Sequence, residues 1–206
     1  MLLLEKITKR KGGYMMEERY KVLDTFEINY FTLAIVPIYM GGNVIYSKIH
    51  QEKEIYICKL SPLMIIKRSC DFFCCSYEGR RDGTRKLMNY NHKLPIIIDD
   101  NSIYFFPTHS PNNSECAWIS FQNILDAKES EGSEVIITFR NLQKIMVNVS
   151  LHTINNQIMR TNALKTVQQY NIEASKNPKL IYKKGSDNRK KLAENKVTYR
   201  RTNNKV

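Results

Sequence analysis

Apolar residues recur with two different periods along this 206-residue chain, and the points where the period changes divide it. Between residues 20 and 60 the period is two. Phe26, Ile28 and Tyr30 alternate with polar neighbours, and Thr32 to Tyr39 is nearly all apolar up to a turn at Gly41-Gly42-Asn43. Val44-Ile45-Tyr46 and Ile55-Tyr56-Ile57 flank the charged turn Gln51-Glu52-Lys53. β-branched and aromatic runs separated by turn residues predict antiparallel hairpins.

At Ser61 the period lengthens. Ser61 suits an N-cap and Pro62 the first helical position, where its missing N–H costs nothing. Leu63, Ile66, Cys70, Phe73, Cys74 and Tyr77 then follow at helical spacing, which predicts one buried stripe, with Lys67, Arg68 and Asp71 facing water. After Tyr77 the stripe stops at Glu78-Gly79-Arg80-Arg81-Asp82-Gly83, followed by Thr84, Arg85 and Lys86. Two glycines around paired arginines predict a basic, hinged loop carried at the end of the helix.

Strand signals resume in Pro95–Ile98 and Ile103–Phe106, a hairpin across Asp99-Asp100-Asn101-Ser102. Cys116–Ile119, Val135–Phe139 and Lys144–Val149 follow, with Asn141 near the last turn and an acidic, mixed stretch at Asp126, Glu129, Glu131 and Glu134. From Leu151 the period returns to 3.6, through Ile154, Ile158, Leu164 and Val167, which predicts a helix over about His152 to Asn171 with Ser150 as N-cap. The fold class expected is α+β: mainly an antiparallel sheet or partly closed barrel, with a central helix and a C-terminal helix. The two helices are separated by strands, so no helix-turn-helix is expected.

Charge refines this picture. The formal net charge is +12. Residues 67–93 hold seven basic against three acidic residues, and residues 160–206 hold thirteen against three, while residues 94–159 are net acidic. Such local excess is the footprint of a polyanion partner. In the tail a solvated, largely disordered segment is an equal reading. The expected organisation is a flexible arm over residues 1–19, one domain over 20–172 and a basic tail over 173–206. Met15-Met16 offers a second start of translation. Leu2-Leu3-Leu4 is too short for a signal sequence and no stretch approaches a membrane span, so a cytoplasmic protein without a membrane partner is expected.

Catalytic chemistry finds little support. Asp99-Asp100 reads as a solvated turn rather than an acid pair, and no glycine-rich phosphate loop is present. His50, His92, His109 and His152 lie outside any ligand-spaced motif, although His92 beside Lys93 could meet a phosphate. Cys58, Cys70, Cys74, Cys75 and Cys116 lack zinc-site spacing and read as packed thiols. No enzyme, metal or cofactor is expected. Trp118 with Phe105 and Phe106 reads as core, or as a stacking platform for single strands. Arg80, Arg81, Arg85 and Lys86 fall within seven residues, a density suited to phosphates or to a narrow A·T-rich minor groove.

Lys67-Arg68-Ser69-Cys70-Asp71-Phe72-Phe73, then Ser76-Tyr77 and Gly79-Arg80, closely resemble the ComK competence transcription factors of Gram-positive bacteria. The likeness continues through His92-Lys93, Pro95-Ile96, Phe106-Pro107-Thr108, Trp118-Ile119 and Val147-Asn148-Val149-Ser150, and covers roughly Thr25 to Asn171. It implies a sequence-specific, nucleoid-associated activator of DNA-uptake genes that reads paired A/T-rich boxes through the minor groove, as a homodimer assembling to a tetramer. On that reading Arg80, Arg81, Arg85 and Lys86 contact DNA, Lys67, Arg68 and Lys93 flank them on phosphates, and Phe72, Phe73 and Tyr77 are supporting core. The resemblance also implies a MecA-type adaptor that delivers the protein to a Clp protease through a short apolar motif near the C-terminus. Leu180-Ile181-Tyr182 fits such a motif, or else a last fragment of helix folding back on the sheet. An RNA-binding module and a paralogue that modulates an active partner without binding DNA are the alternatives.

Overall fold

A computed structural model describes residues 4–11, 14–41, 44–99, 102–130, 132 and 134–177. The chain divides into two compact units, residues 1–164 and 165–206. In the first, β1 (Leu4–Lys11) and β2 (Tyr14–Leu23) form an antiparallel hairpin that runs across the expected boundary between arm and domain. Next come β3 (Thr32–Tyr39), β4 (Ile45–Gln51) and β5 (Ile55–Cys58). Helices α1 (Pro62–Phe72) and α2 (Tyr77–Met88) follow, then β6 (Ile96–Ile97), β7 (Tyr104–Pro107) and β8 (Trp118–Ser120). Strands β9 (Ile124–Glu129), β10 (Val135–Phe139) and β11 (Lys144–Val147) lead to α3, Leu151–Lys176. Of the second unit, residues 165–176 belong to the C-terminal part of α3.

Among the described residues eight strands form one sheet, in the order β1-β2-β5-β4-β3-β8-β7-β6, and three form another, β11-β10-β9. Every pairing is antiparallel except β2 with β5. The class is therefore α+β, and neither sheet closes into a barrel.

Period-two alternation explains the core. On the large sheet, Ile35, Ile49, Phe105 and Trp118 point to one face and pack against Ile65, Ile66 and Cys70 of α1. Their neighbours Ala34, Phe106 and Ile119 point to the other face, against Val135, Ile137, Phe139, Ile145 and Val147 of the small sheet and Ile154 of α3. Adjacent apolar residues such as Phe105-Phe106 are tolerated because both faces of this sheet are covered. Trp118, Phe105 and Phe106 are all fully buried, so they are core and form no open stacking platform.

The β3 span, the β4–β5 and β6–β7 hairpins and the β10–β11 pair agree with the alternation pattern. Asp99 makes the turn expected of it: its Oδ1 accepts the N–H groups of Ser102 and Ile103, at 2.9 and 2.7 Å. Ser150 caps α3, its Oγ accepting the Thr153 N–H at 3.3 Å.

Several expectations are corrected. Phe26–Tyr30 is not a strand; Phe26 and Ile28 are buried, Tyr30 is exposed, and the Ile28 N–H donates to the buried hydroxyl of Ser69 at 2.9 Å. The acidic stretch holding Asp126 and Glu129 is strand β9, an edge strand whose charges suit an exposed position. Phe72 is 66% exposed rather than core, while Phe73 packs against the core and Tyr77 is buried. Cys58, Cys70 and Cys116 are packed thiols as expected, but Cys74 is exposed and Cys75 half-buried. Ser61 occupies the N-cap of α1 without a side-chain capping bond.

The main correction concerns the central stretch. The expected loop after Tyr77 is helix α2, so two helices follow one another directly across Phe73–Ser76. The first ends at a left-handed residue, Cys74, with φ +57°. The Cys74 N–H donates to the Asp71 carbonyl at 3.0 Å and the Cys75 N–H to the Cys70 carbonyl at 3.1 Å. This bond pair is a Schellman motif, which ends a helix and turns the chain.

Candidate nucleic-acid interface

Ser76 begins α2. Its Oγ accepts the Gly79 N–H at 3.0 Å, Glu78 lies in the first turn, and Arg85 and Lys86 lie in the last. Acid at the N-terminus and base at the C-terminus both complement the helix dipole. Asn89 closes the helix in a left-handed conformation, φ +54°. Tyr77 and Thr84, one heptad apart, are the buried contacts, which leaves most of the helix surface to polar residues. These local signals outweigh the two glycines.

All four basic residues assigned to the expected loop therefore sit on one helix, with different anchorage. Arg80 is half-buried and its Nε donates to the Cys75 sulfur at 3.1 Å. Arg81 is half-buried; burial pushes the Tyr77 hydroxyl above its usual range and the nearby Arg81 charge partly restores it. Arg85 reaches Asp82 Oδ1 at 2.5 Å, and Lys86 is exposed.

The flanking basic residues divide. Lys67 joins the group: its Nζ lies 3.1 Å from Glu78 Oε1 and 5.7 Å from the centre of the Tyr77 ring, tying α1 to the first turn of α2. That hydrogen bond holds the Glu78 carboxyl below its ordinary value. Arg68 is paired instead with Glu27, at 2.5 Å. Lys93 takes a left-handed conformation, φ +48°, and its charge acts on the buried Cys116 thiol, which neighbours Tyr77. Leu180, Ile181 and Tyr182 lie outside the described residues.

Residues that sequence spacing did not indicate hold the Lys93 segment. Gln157 of α3, buried, donates its amide to the carbonyls of Lys93 (3.0 Å) and Pro107 (2.7 Å). Arg160, one turn on, donates to the His92 carbonyl at 2.7 Å and stacks its guanidinium 4.2 Å from the centre of the Tyr90 ring. Burial lowers the Arg160 pKa. A buried glutamine and an arginine within one predicted helix were the available signal, since buried polar side chains need partners.

Two consecutive helices, the second carrying Arg80, Arg81, Arg85 and Lys86, packed with a mainly antiparallel sheet, define an α+β fold with an arginine-rich helix. The chain belongs to the family described as ComK protein, which it matches over residues 23–173. Among curated proteins it is 35% identical over 152 residues to the competence transcription factor of Bacillus subtilis (strain 168), covering 73% of this chain and 79% of that relative. No solved structure matches the chain.

Proposed function

We propose that this protein is a transcriptional activator of competence genes that binds A/T-rich duplex DNA with α2 and the residues tied to it. The observation that carries this reading is the gathering of Arg80, Arg81, Arg85 and Lys86 on one helix, with Lys67 fastened to its first turn. Phosphates attract such a cluster without regard to sequence; arginine in a narrowed minor groove adds preference for A·T tracts. Arg85 and Lys86, in the last turn, are the leading contacts, Arg80 and Arg81 stand beside them, and Lys67, Arg68 and Lys93 flank them on phosphates. The Bacillus subtilis relative, a competence transcription factor, supports the regulatory class.

Paired A/T boxes fit a homodimer that assembles to a tetramer on DNA, and Leu180-Ile181-Tyr182 is assigned to a MecA-type adaptor that feeds a Clp protease. The protein acts in the cytoplasm, at the nucleoid, without a membrane partner. The RNA-binding reading asks for an exposed aromatic strand face, whereas Phe105, Phe106 and Trp118 are buried.

The test is a salt titration of binding to a duplex carrying two A/T boxes, beside a G·C-rich duplex of equal length. Tighter binding to the first at every salt concentration is expected, with affinity falling as salt rises. Equal affinities would remove the sequence preference, and no binding by a folded dimer would select the non-DNA-binding paralogue.

A further inference from the structure

The Schellman turn between α1 and α2 has a cysteine at each of the two positions it brings together. In this motif the residue three places inside the helix end and the second residue beyond it close on one another. Here they are Cys70 and Cys75, joined by the Cys75 N–H bond to the Cys70 carbonyl. The Cys75 sulfur lies 3.2 Å from that same carbonyl. Cys70 is fully buried and Cys75 half-buried, so only the second is open to a small reagent. Arg80 directs its Nε–H onto the Cys75 sulfur at 3.1 Å, and Cys75 immediately precedes the N-cap of α2.

Cysteines react as thiolates, and those beside arginine at a helix N-terminus are the reactive ones. We propose that Cys75 and Cys70 form a reversible dithiol–disulfide pair, with Cys75 the attacking and Cys70 the resolving thiol, and a small hydroperoxide as oxidant. This chemistry goes beyond the DNA-binding reading and does not depend on it.

The step balances. Cys75, as thiolate, attacks the peroxide oxygen. The O–O bond breaks, the departing hydroxide takes the Cys70 proton and leaves as water, and Cys75 becomes a sulfenic acid. The Cys70 thiolate so formed then attacks the Cys75 sulfur. An S–S bond forms, the S–O bond breaks, and the second hydroxide takes up the proton that Cys75 had given to solvent and leaves as water. Two thiols are oxidised by two electrons and one peroxide is reduced to two waters; a dithiol reductant reverses the change. Burial pushes the Cys70 thiol up to about 12, so it keeps its proton until the departing hydroxide takes it. The closure joins residues already held by a backbone bond, so the turn has little distance to cross.

A disulfide removes the Cys75 thiol that Arg80 Nε now contacts at the start of α2.

The test uses the full chain, treated with limiting hydrogen peroxide, followed by thiol counting and peptide mass mapping. The result expected is loss of two of the five thiols, a peptide linked between Cys70 and Cys75, and full recovery with dithiothreitol. Cys75→Ser abolishes the link, Cys74→Ser leaves it intact, and Arg80→Gln slows its formation several-fold. Oxidation confined to Cys74, or Cys70 and Cys75 remaining free while Cys74 forms bonds between chains, would overturn the proposal. Cys74→Ser, on an exposed side chain, keeps the test valid should Cys75→Ser weaken the fold. DNA affinity plays no part in this readout, so failure of the DNA-binding reading leaves it unaffected.

Discussion

Gln157 and Lys93 lie 64 residues apart and share a hydrogen bond of 3.0 Å, from a buried side-chain amide to a backbone carbonyl held in a left-handed turn. The same amide nitrogen reaches the Pro107 carbonyl, so one side chain fixes the segment after α2 to strand β7. Gln157→Leu keeps the volume but leaves two carbonyls without this donor. A loss of about 1–3 kcal/mol is expected in urea unfolding. A change below a few tenths of a kcal/mol would mean that the carbonyls find other partners.

Gly83 sits inside α2 with ordinary helical backbone, and an added Cβ would meet nothing within 4 Å. Gly83→Ala therefore raises stability by about 0.5–1 kcal/mol. If α2 lies against a duplex, the added methyl also obstructs close approach and weakens binding several-fold. Gly79 behaves oppositely: its Cβ would come within 2.9 Å of Ser76 Oγ, the atom that caps the helix. Gly79→Ala disturbs that cap and costs about 1 kcal/mol. Thermal melts of the two variants should move in opposite directions.

Cys74 holds φ +57° with an exposed side chain, so its thiol contributes little packing. Glycine accepts this conformation without steric penalty. Cys74→Gly should raise the urea midpoint, by an amount equivalent to about 0.5–1 kcal/mol after the extra flexibility of the unfolded chain is counted. A lower midpoint would show that the cysteine side chain is packed in solution.

Alkaline pH should destabilise the protein through its buried thiols Cys58, Cys70 and Cys116, all of which burial raises. Burial raises Cys70 to about 12 and Cys116 to about 11, against 9.0 for a free thiol. Above pH 9.0 the unfolded chain sheds these protons while the folded chain keeps them, so stability falls as pH rises. The fall ends near 11 for Cys116 and near 12 for Cys70. Urea midpoints at pH 8 and pH 10 check the sign, and Cys116→Ala should lessen the fall. The Lys67–Glu78 pair works at the other end: the Glu78 pKa is depressed in the folded protein, so its contribution is present above 4.5 and lost as pH drops through the lowered value.

Most strands were legible because both faces of the large sheet are covered, and continuous apolar runs such as Thr32–Tyr39 then have one explanation. Phe26–Tyr30 misled because alternation also arises when an irregular segment buries two side chains and bonds its backbone to a helix, here through Ser69. Strand β9 hid behind its charges, which an edge position tolerates.

Helix α2 was obscured by Gly79 and Gly83, although Ser76, Glu78, Arg85 and Lys86 together gave a capped helix with the right polarity. The basic cluster itself was legible from composition. The anchorage of Arg80 on Cys75, and of the Lys93 segment on Gln157, depends on interactions across a turn or between distant elements, which spacing does not encode.

Duplex binding is assigned to the basic side chains of α2. Arg85 and Lys86 test it most directly, because both lie in the last turn and neither belongs to the core. Arg85→Gln with Lys86→Gln keeps helix-forming side chains and removes two charges. Affinity for an A/T-box duplex should be measured across a salt series, with thermal unfolding alongside. Weaker binding is expected, with the slope of log K against log salt flattened by about 0.9 for each phosphate that is no longer neutralised, and a folded protein throughout. Unchanged affinity and slope in the folded double variant would contradict the account.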